Sequence, residues 1–139
     1  MRFTFSCPVR WGDMDAFGHV NNVTFLTYMQ EARTGMLFAG EAAAHIPDLI
    51  KGVVVARHEI DYRRPLSWRP EPVEVDVWTA EVKSSSFVLR YEVRDQLADD
   101  VVLAEALTVL VPFDLAAGRP RRVSPAEREF LSRYLEPHS

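Results

Sequence analysis

The sequence predicts an α+β fold, with one strand and a long amphipathic helix followed by four more strands and a short closing helix. Three observations predict it. Phe3, Phe5, Cys7 and Val9 alternate with polar residues, as a half-buried strand does. Phe25, Met29, Ala32 and Met36 recur at spacings of four, three and four, as one helix face does. After residue 52 the chain turns to apolar runs separated by short polar segments rich in Pro, Ser and Asp.

Taken in order, the first strand covers 2–11, and a loop rich in Asp, Gly, His and Asn runs from Gly12 to Asn22. The helix covers about 23–39, with Leu26 and Leu37 widening its apolar face, Asn22 as its N-cap and Gly40 as its stop. Residues 41–51 read as irregular or as a short helix broken near Pro47. The later strands are Val53–Tyr62, Val73–Val82, Phe87–Val93 and Val101–Phe113. The last of them is apolar on both faces, which predicts a strand inside a sheet covered twice. Gly118 and Pro120 mark a turn, and Ser124-Pro125 starts a helix that runs to about Tyr134.

At 139 residues this is one domain, 1–139, without repeats or a dividing linker. A formal net charge of −4 argues against a nucleic-acid partner. Cys7 is the only cysteine, so an intramolecular disulfide is excluded and a reducing compartment fits. The start lacks the long apolar run of a signal peptide, and no stretch reaches the roughly 18 apolar residues of a membrane span. A cytoplasmic protein is expected. The four histidines show no ligand spacing, so no metal and no separate cofactor is expected. There is no Gly-X-Ser-X-Gly elbow and no phosphate-binding glycine fingerprint.

The segment with most chemistry is Val9-Arg10-Trp11-Gly12-Asp13-Met14-Asp15, followed by Gly18-His19-Val20-Asn21-Asn22 and, on the helix, Tyr28 and Glu31-Ala32-Arg33. Weaker echoes are Ile60-Asp61-Tyr62-Arg63-Arg64-Pro65-Leu66, Ser85-Ser86-Phe87 and Val109-Leu110-Val111. Over nearly the whole chain this resembles the 4-hydroxybenzoyl-CoA thioesterase family and its YbgC/FadM-like acyl-CoA thioesterase relatives. The resemblance implies the hotdog fold, a curled, mostly antiparallel five-stranded sheet wrapped around one long helix. It implies hydrolysis of acyl-CoA thioesters, with CoA present only as part of the substrate. It also implies that the second Asp of the loop, Asp15, is the catalytic carboxylate, and that copies of the chain pair as a homodimer or homotetramer.

The chemistry suits these residues. A carboxylate can attack a thioester carbonyl or activate water. The first turn of a helix leaves N–H groups without intrahelical partners, and these suit a developing oxyanion. The N–H groups around Asn22, Val23 and Thr24 are the natural donors. Asp13 reads better as a turn former than as a second catalyst. His19 reads as a ring that hydrogen-bonds the loop, and Asn21 and Asn22 as residues that orient the site. Glu31 is the rival carboxylate, and Cys7, with no base in its motif, the rival nucleophile. Phe17, Tyr28 and Met29 are candidates to line an acyl pocket. CoA phosphates call for cations and hydroxyls, for which the candidates are Arg57, Arg63, Arg64, Lys83 with Ser84, Ser85 and Ser86, and Arg119, Arg121 and Arg122. Two other classes stay open. One is a hydratase or dehydratase acting on acyl thioesters, and the other a non-catalytic acyl-CoA-binding module.

Overall fold

A computed structural model describes residues 1–40, 42, 46, 49 and 51–137. Strand β1 (Phe3–Cys7) leads through a 3-10 turn (Trp11–Asp13) to helix α1 (Asn22–Phe38). Strands β2 (Val53–Tyr62), β3 (Val73–Val82), β4 (Phe87–Asp95) and β5 (Val101–Asp114) follow, then the two-residue β6 (Arg119–Pro120) and helix α2 (Pro125–Ser132). The sheet order is β1-β3-β4-β5-β2, and β6 pairs with the end of β5. Every neighbouring pair is antiparallel. This is the α+β architecture expected, with one short extra strand.

The first strand is shorter than expected and ends at Cys7 instead of running to residue 11. Pro8 has no N–H to give to a ladder. Beyond it, the Asp13 N–H donates to the Arg10 carbonyl at 3.0 Å and closes the 3-10 turn. Strands β2 and β3 match the expected bounds, while β4 runs on to Asp95 and β5 to Asp114. Of the segment 41–51, only residues 42, 46, 49 and 51 fall among those described, and Pro47 lies outside them.

Helix α1 buries Phe25, Tyr28, Met29, Ala32, Met36 and Leu37. It packs chiefly on β1, β3 and β4. Opposite it lie Val73, Val75 and Val77 of β3 and Phe87, Leu89, Tyr91 and Val93 of β4, all essentially without exposed surface. Each such large apolar side chain contributes about 1.5–3 kcal/mol by leaving water. This core anchors the start of α1, and so the loop before it.

Strand β5 departs from expectation. Its inner residues Ala104, Ala106, Thr108 and Leu110 are buried, but Glu105, Leu107, Val109 and Val111 are only half-buried. Among the described residues the sheet is covered on one face only. Strand β2 is an edge, exposed along most of its length. At the other end of the chain, Ser124 caps α2 by accepting the Glu127 N–H, and the Glu127 carboxylate accepts the Ser124 N–H in return.

Candidate active site

The Asp-rich loop folds as a tight hairpin. Met14 and Val20 form an isolated antiparallel bridge, the Asp15 N–H donates to the His19 carbonyl at 2.7 Å, and the Gly18 N–H donates to the Asp15 carbonyl at 3.1 Å. Gly18 adopts φ +76°, a conformation that glycine alone reaches without a steric cost. The Asn21 N–H adds a further rung by donating to the Asp13 carbonyl at 2.9 Å, and the Val20 N–H moors the hairpin to the body by donating to the Leu66 carbonyl at 2.7 Å.

The two aspartates separate cleanly. Asp13 is 6% exposed, and its Oδ2 accepts from the Arg10 N–H at 2.9 Å and from the Tyr28 hydroxyl at 2.6 Å. Burial, and then the Asp13 carboxylate, push the Tyr28 phenol well above its ordinary range, so it stays a neutral donor. Tyr28 is therefore a brace beneath the loop, and it lines a different cleft from Asp15. Asp15 is half-buried, and only its Oδ1 is engaged, by the N–H groups of Phe17 at 2.9 Å and His19 at 3.3 Å. Oδ2 has no hydrogen-bond partner among the described residues.

Asp15 stands between two openings. One, of about 310 Å³, is lined by Asp15, His19, Asn22, Phe25, Tyr62 and Arg63 with its neighbours Arg64 and Pro65. The other, about 650 Å³, lies on the loop's far side against Trp11 and Trp68, whose rings meet edge to face at 5.7 Å. His19 lines the first opening, and its ring has no hydrogen bond among the described residues. The loop is held by the His19 backbone, not by its ring as expected.

The helix start corrects a second expectation. Asn21, not Asn22, is the N-cap. Its Oδ1 accepts the Val23 N–H at 2.9 Å, and its carbonyl accepts the Thr24 N–H at 2.9 Å. Of the three expected donors, only the Asn22 N–H is without a partner among the described residues. The Asn22 carbonyl accepts the Tyr62 hydroxyl at 2.6 Å, and the Tyr62 ring meets Phe25 at 5.8 Å. Strand β2 is thus tied to the first turn of α1. Sequence reasoning places Tyr62 only in a weak echo, and nothing in that stretch reveals that its hydroxyl reaches the helix.

The other candidates are scattered. Phe17 projects into solvent at the hairpin tip, 84% exposed. Arg57 pairs with Glu59, and Arg63 with Glu105. Arg64 has no side-chain partner among the described residues and lines the Asp15 cleft. Lys83 to Ser86 form the β3–β4 turn, at the end of the sheet away from Tyr62. Arg121 is held by Glu127. Glu31 is exposed and lines a separate cleft with Cys7, Arg10 and Tyr28. Cys7 is buried, and burial, then the Asp13 and Glu31 charges, push its thiol up to about 12. Among the described residues no group of three His, Cys, Asp or Glu side chains could hold a metal ion.

This hairpin, seated on a helix start at the edge of a curled antiparallel sheet, is the architecture of hotdog thioesterases, and comparison with known proteins agrees. The profile of the thioesterase-like superfamily matches residues 9–133. The chain belongs to that superfamily and is a thioester hydrolase. Among solved structures it is similar to a Thermus thermophilus thioesterase complexed with coenzyme A and zinc. The two are 33% identical over 94% of this chain and 92% of that one, with a TM-score of 0.78. The PA2801 protein of Pseudomonas aeruginosa is 29% identical over 93% and 98%, with a TM-score of 0.80. A predicted thioesterase from Bacillus stearothermophilus shares the fold end to end, with 24% identity, 100% coverage of both chains and a TM-score of 0.86. No curated protein matches significantly.

Proposed function

We propose that this protein hydrolyses acyl-CoA thioesters, with Asp15 as the reactive carboxylate and the Asn22 N–H as a donor to the developing oxyanion. One observation carries the reading. Asp15, with one carboxylate oxygen held by the loop and the other without a partner among the described residues, lines the same cleft as Asn22, whose N–H at the helix start has no partner among them either. The helix dipole adds to that donor's pull on negative charge.

Two routes fit a carboxylate placed in this way. Asp15 Oδ2 attacks the carbonyl carbon, CoA leaves as its thiolate, and water cleaves the resulting anhydride. Alternatively, Asp15 takes a proton from water as the water attacks, and returns it to the departing sulfur. In both, the carbonyl oxygen gains charge in the tetrahedral state, where the Asn22 N–H acts. CoA as the carrier is supported by the Thermus structure, which holds CoA, and by Arg64 at the rim of the cleft, available for a phosphate. We take the working unit to be a homodimer or homotetramer, a reading supported by the exposed β2 edge and by Phe17. A cytoplasmic site of action is consistent with the single buried thiol, and no helix among the described residues is long and apolar enough to cross a membrane.

The test is thiol release over a panel of acyl-CoAs and the matching acyl-carrier-protein thioesters. Asp15→Asn keeps an oxygen to accept from Phe17 and His19, so the loop keeps its shape while basicity is lost. The expected fall in kcat is on the order of 100- to 10,000-fold. Hydration of an enoyl-CoA without thiol release would instead identify a hydratase, and binding without turnover a carrier module.

A further inference from the structure

The flank of α1 turned away from β1 continues from the cleft. Asn22, Leu26, Met29 and Arg33 recur at spacings of four, three and four, so they form one stripe. Facing it, His58, Ile60 and Tyr62 alternate on one face of β2, opposite Thr108, Ala106 and Ala104 of β5. The Tyr62 hydroxyl bond ties the two sides together at the Asn22 end, where Asn22 and Tyr62 also line the Asp15 cleft. Its middle is apolar, with Leu26 and Ile60 half-buried against the core and two alanines as floor. Its far end is polar. Arg33 Nη1 donates to the buried Tyr91 hydroxyl at 3.2 Å, and His58 Nδ1 shares a hydrogen bond of 2.9 Å with the buried Thr108 hydroxyl.

We infer that Arg33, with Tyr91, His58 and Thr108 around it, recognises a hydrogen-bond acceptor at the distal end of the acyl chain, best a carboxylate. The inference rests on the hydrolase reading of Asp15 and names its substrate class. Arg33 is half-buried and has no carboxylate partner among the described residues. A guanidinium partly removed from water without a counter-charge gains most from a charge-assisted bond to an incoming anion. Tyr91 spends its oxygen lone pair on Arg33, so its own proton is left to donate. Burial, and then the Arg33 charge, hold His58 below its ordinary value, so near neutral pH it adds a hydrogen bond and not a second charge. The cluster offers donors and one positive charge, with no acid of its own.

Length follows from the helix. Arg33 lies eleven residues beyond Asn22, about 16 Å along the axis. An extended chain advances about 1.2 Å per bond, so roughly eight to thirteen carbons cover the span once the arginine's own reach is allowed for.

The experiment compares CoA thioesters of matched chain length ending in a methyl, a hydroxyl or a carboxylate, for wild type, Arg33→Met and Arg33→Lys, with sedimentation of each. The carboxylate-ended thioester is expected to have the highest kcat/KM. Arg33→Met should lower its advantage over the methyl-ended one by about 10- to 100-fold, mainly through KM, and Arg33→Lys should restore part of it. Equal turnover of the three by wild type, or an unchanged ratio in Arg33→Met, overturns the inference while leaving hydrolysis standing. So does a fall in all three together with loss of the oligomer, which would mean that Arg33 serves a second copy's carboxylate. If no thioester is cleaved at all, the hydrolase reading fails by itself. Calorimetric affinity for the same CoA set, measured on Asp15→Asn protein, then still decides whether Arg33 favours the carboxylate.

Discussion

Asp13 and Asp15 stand two residues apart and do opposite work, and hydrogen bonding separates them. Asp13 has its carboxylate spent on a buried tyrosine and a backbone N–H, while Asp15 keeps one oxygen without a partner among the described residues at the mouth of a cleft. The sequence alone makes both look like turn residues, and only the family resemblance singles out Asp15. What no sequence pattern could supply is which N–H groups the cap consumes, because that depends on whether Asn21 or Asn22 turns its side chain back. The same holds for Tyr62 and Arg33, whose partners are forty or more residues away in the chain. Cys7 yields a sharp expectation at this scale. Burial and two nearby carboxylates raise its thiol to about 12, so near pH 8 it is protonated and a poor nucleophile. Iodoacetamide should leave native protein unmodified and fully active under conditions that alkylate the urea-unfolded chain. Rapid labelling with matching loss of thiol release would place Cys7 in the chemistry and displace Asp15.

The elements themselves are largely legible. Strands β2 and β3 and helix α2 carry alternation, caps and breakers that act within a few residues, and their starts fall where those signals lie. The first strand reads too long because alternation continues through Val9, whereas the missing N–H of Pro8 ends the ladder. Helix α2 shows how a local signal becomes tertiary. Glu127, in its first turn, is 1% exposed at its side chain and accepts two bonds from Arg121, at 2.7 and 2.8 Å. Burial alone would raise its carboxyl. The Arg121 bonds, with the Ser124 N–H, outweigh burial and hold it below its ordinary 4.5. A depressed folded pKa gives stability that is complete above the ordinary value and is lost as pH falls through the folded one. Arg121→Ala strands a buried carboxylate and should cost about 3–5 kcal/mol near pH 7. Urea unfolding at about pH 3 should show a smaller gap between variant and wild type, because the carboxyl is then protonated once Arg121 is gone. An equal gap at both pH values would mean that lost packing, not the ion pair, sets the cost.

At the scale of the whole molecule, one chain leaves two surfaces unfinished. Strand β2 offers ten residues of sheet edge, with Val54 and Val55 each more than a third exposed. Such an edge carries a row of unpaired backbone groups and pairs readily with another copy. The outer face of the sheet is different. There Leu107, Val109 and Val111 of β5 lie half-buried without a covering layer among the described residues, although their apolar pattern predicts one. Two unfinished surfaces allow two levels of assembly, and substitutions can separate them. Sedimentation at micromolar concentration should show wild type as a dimer or tetramer. Val55→Lys, which places a charge on the edge, should shift it toward monomer. Val109→Glu on the outer face should stop assembly at the dimer, since it leaves the edge intact. If Asp15 works only in a paired chain, thiol release should follow the Val55→Lys dissociation and be spared by Val109→Glu. A monomeric wild type that is fully active would show that one chain builds the whole site, and that the exposed edge of β2 has no part in catalysis.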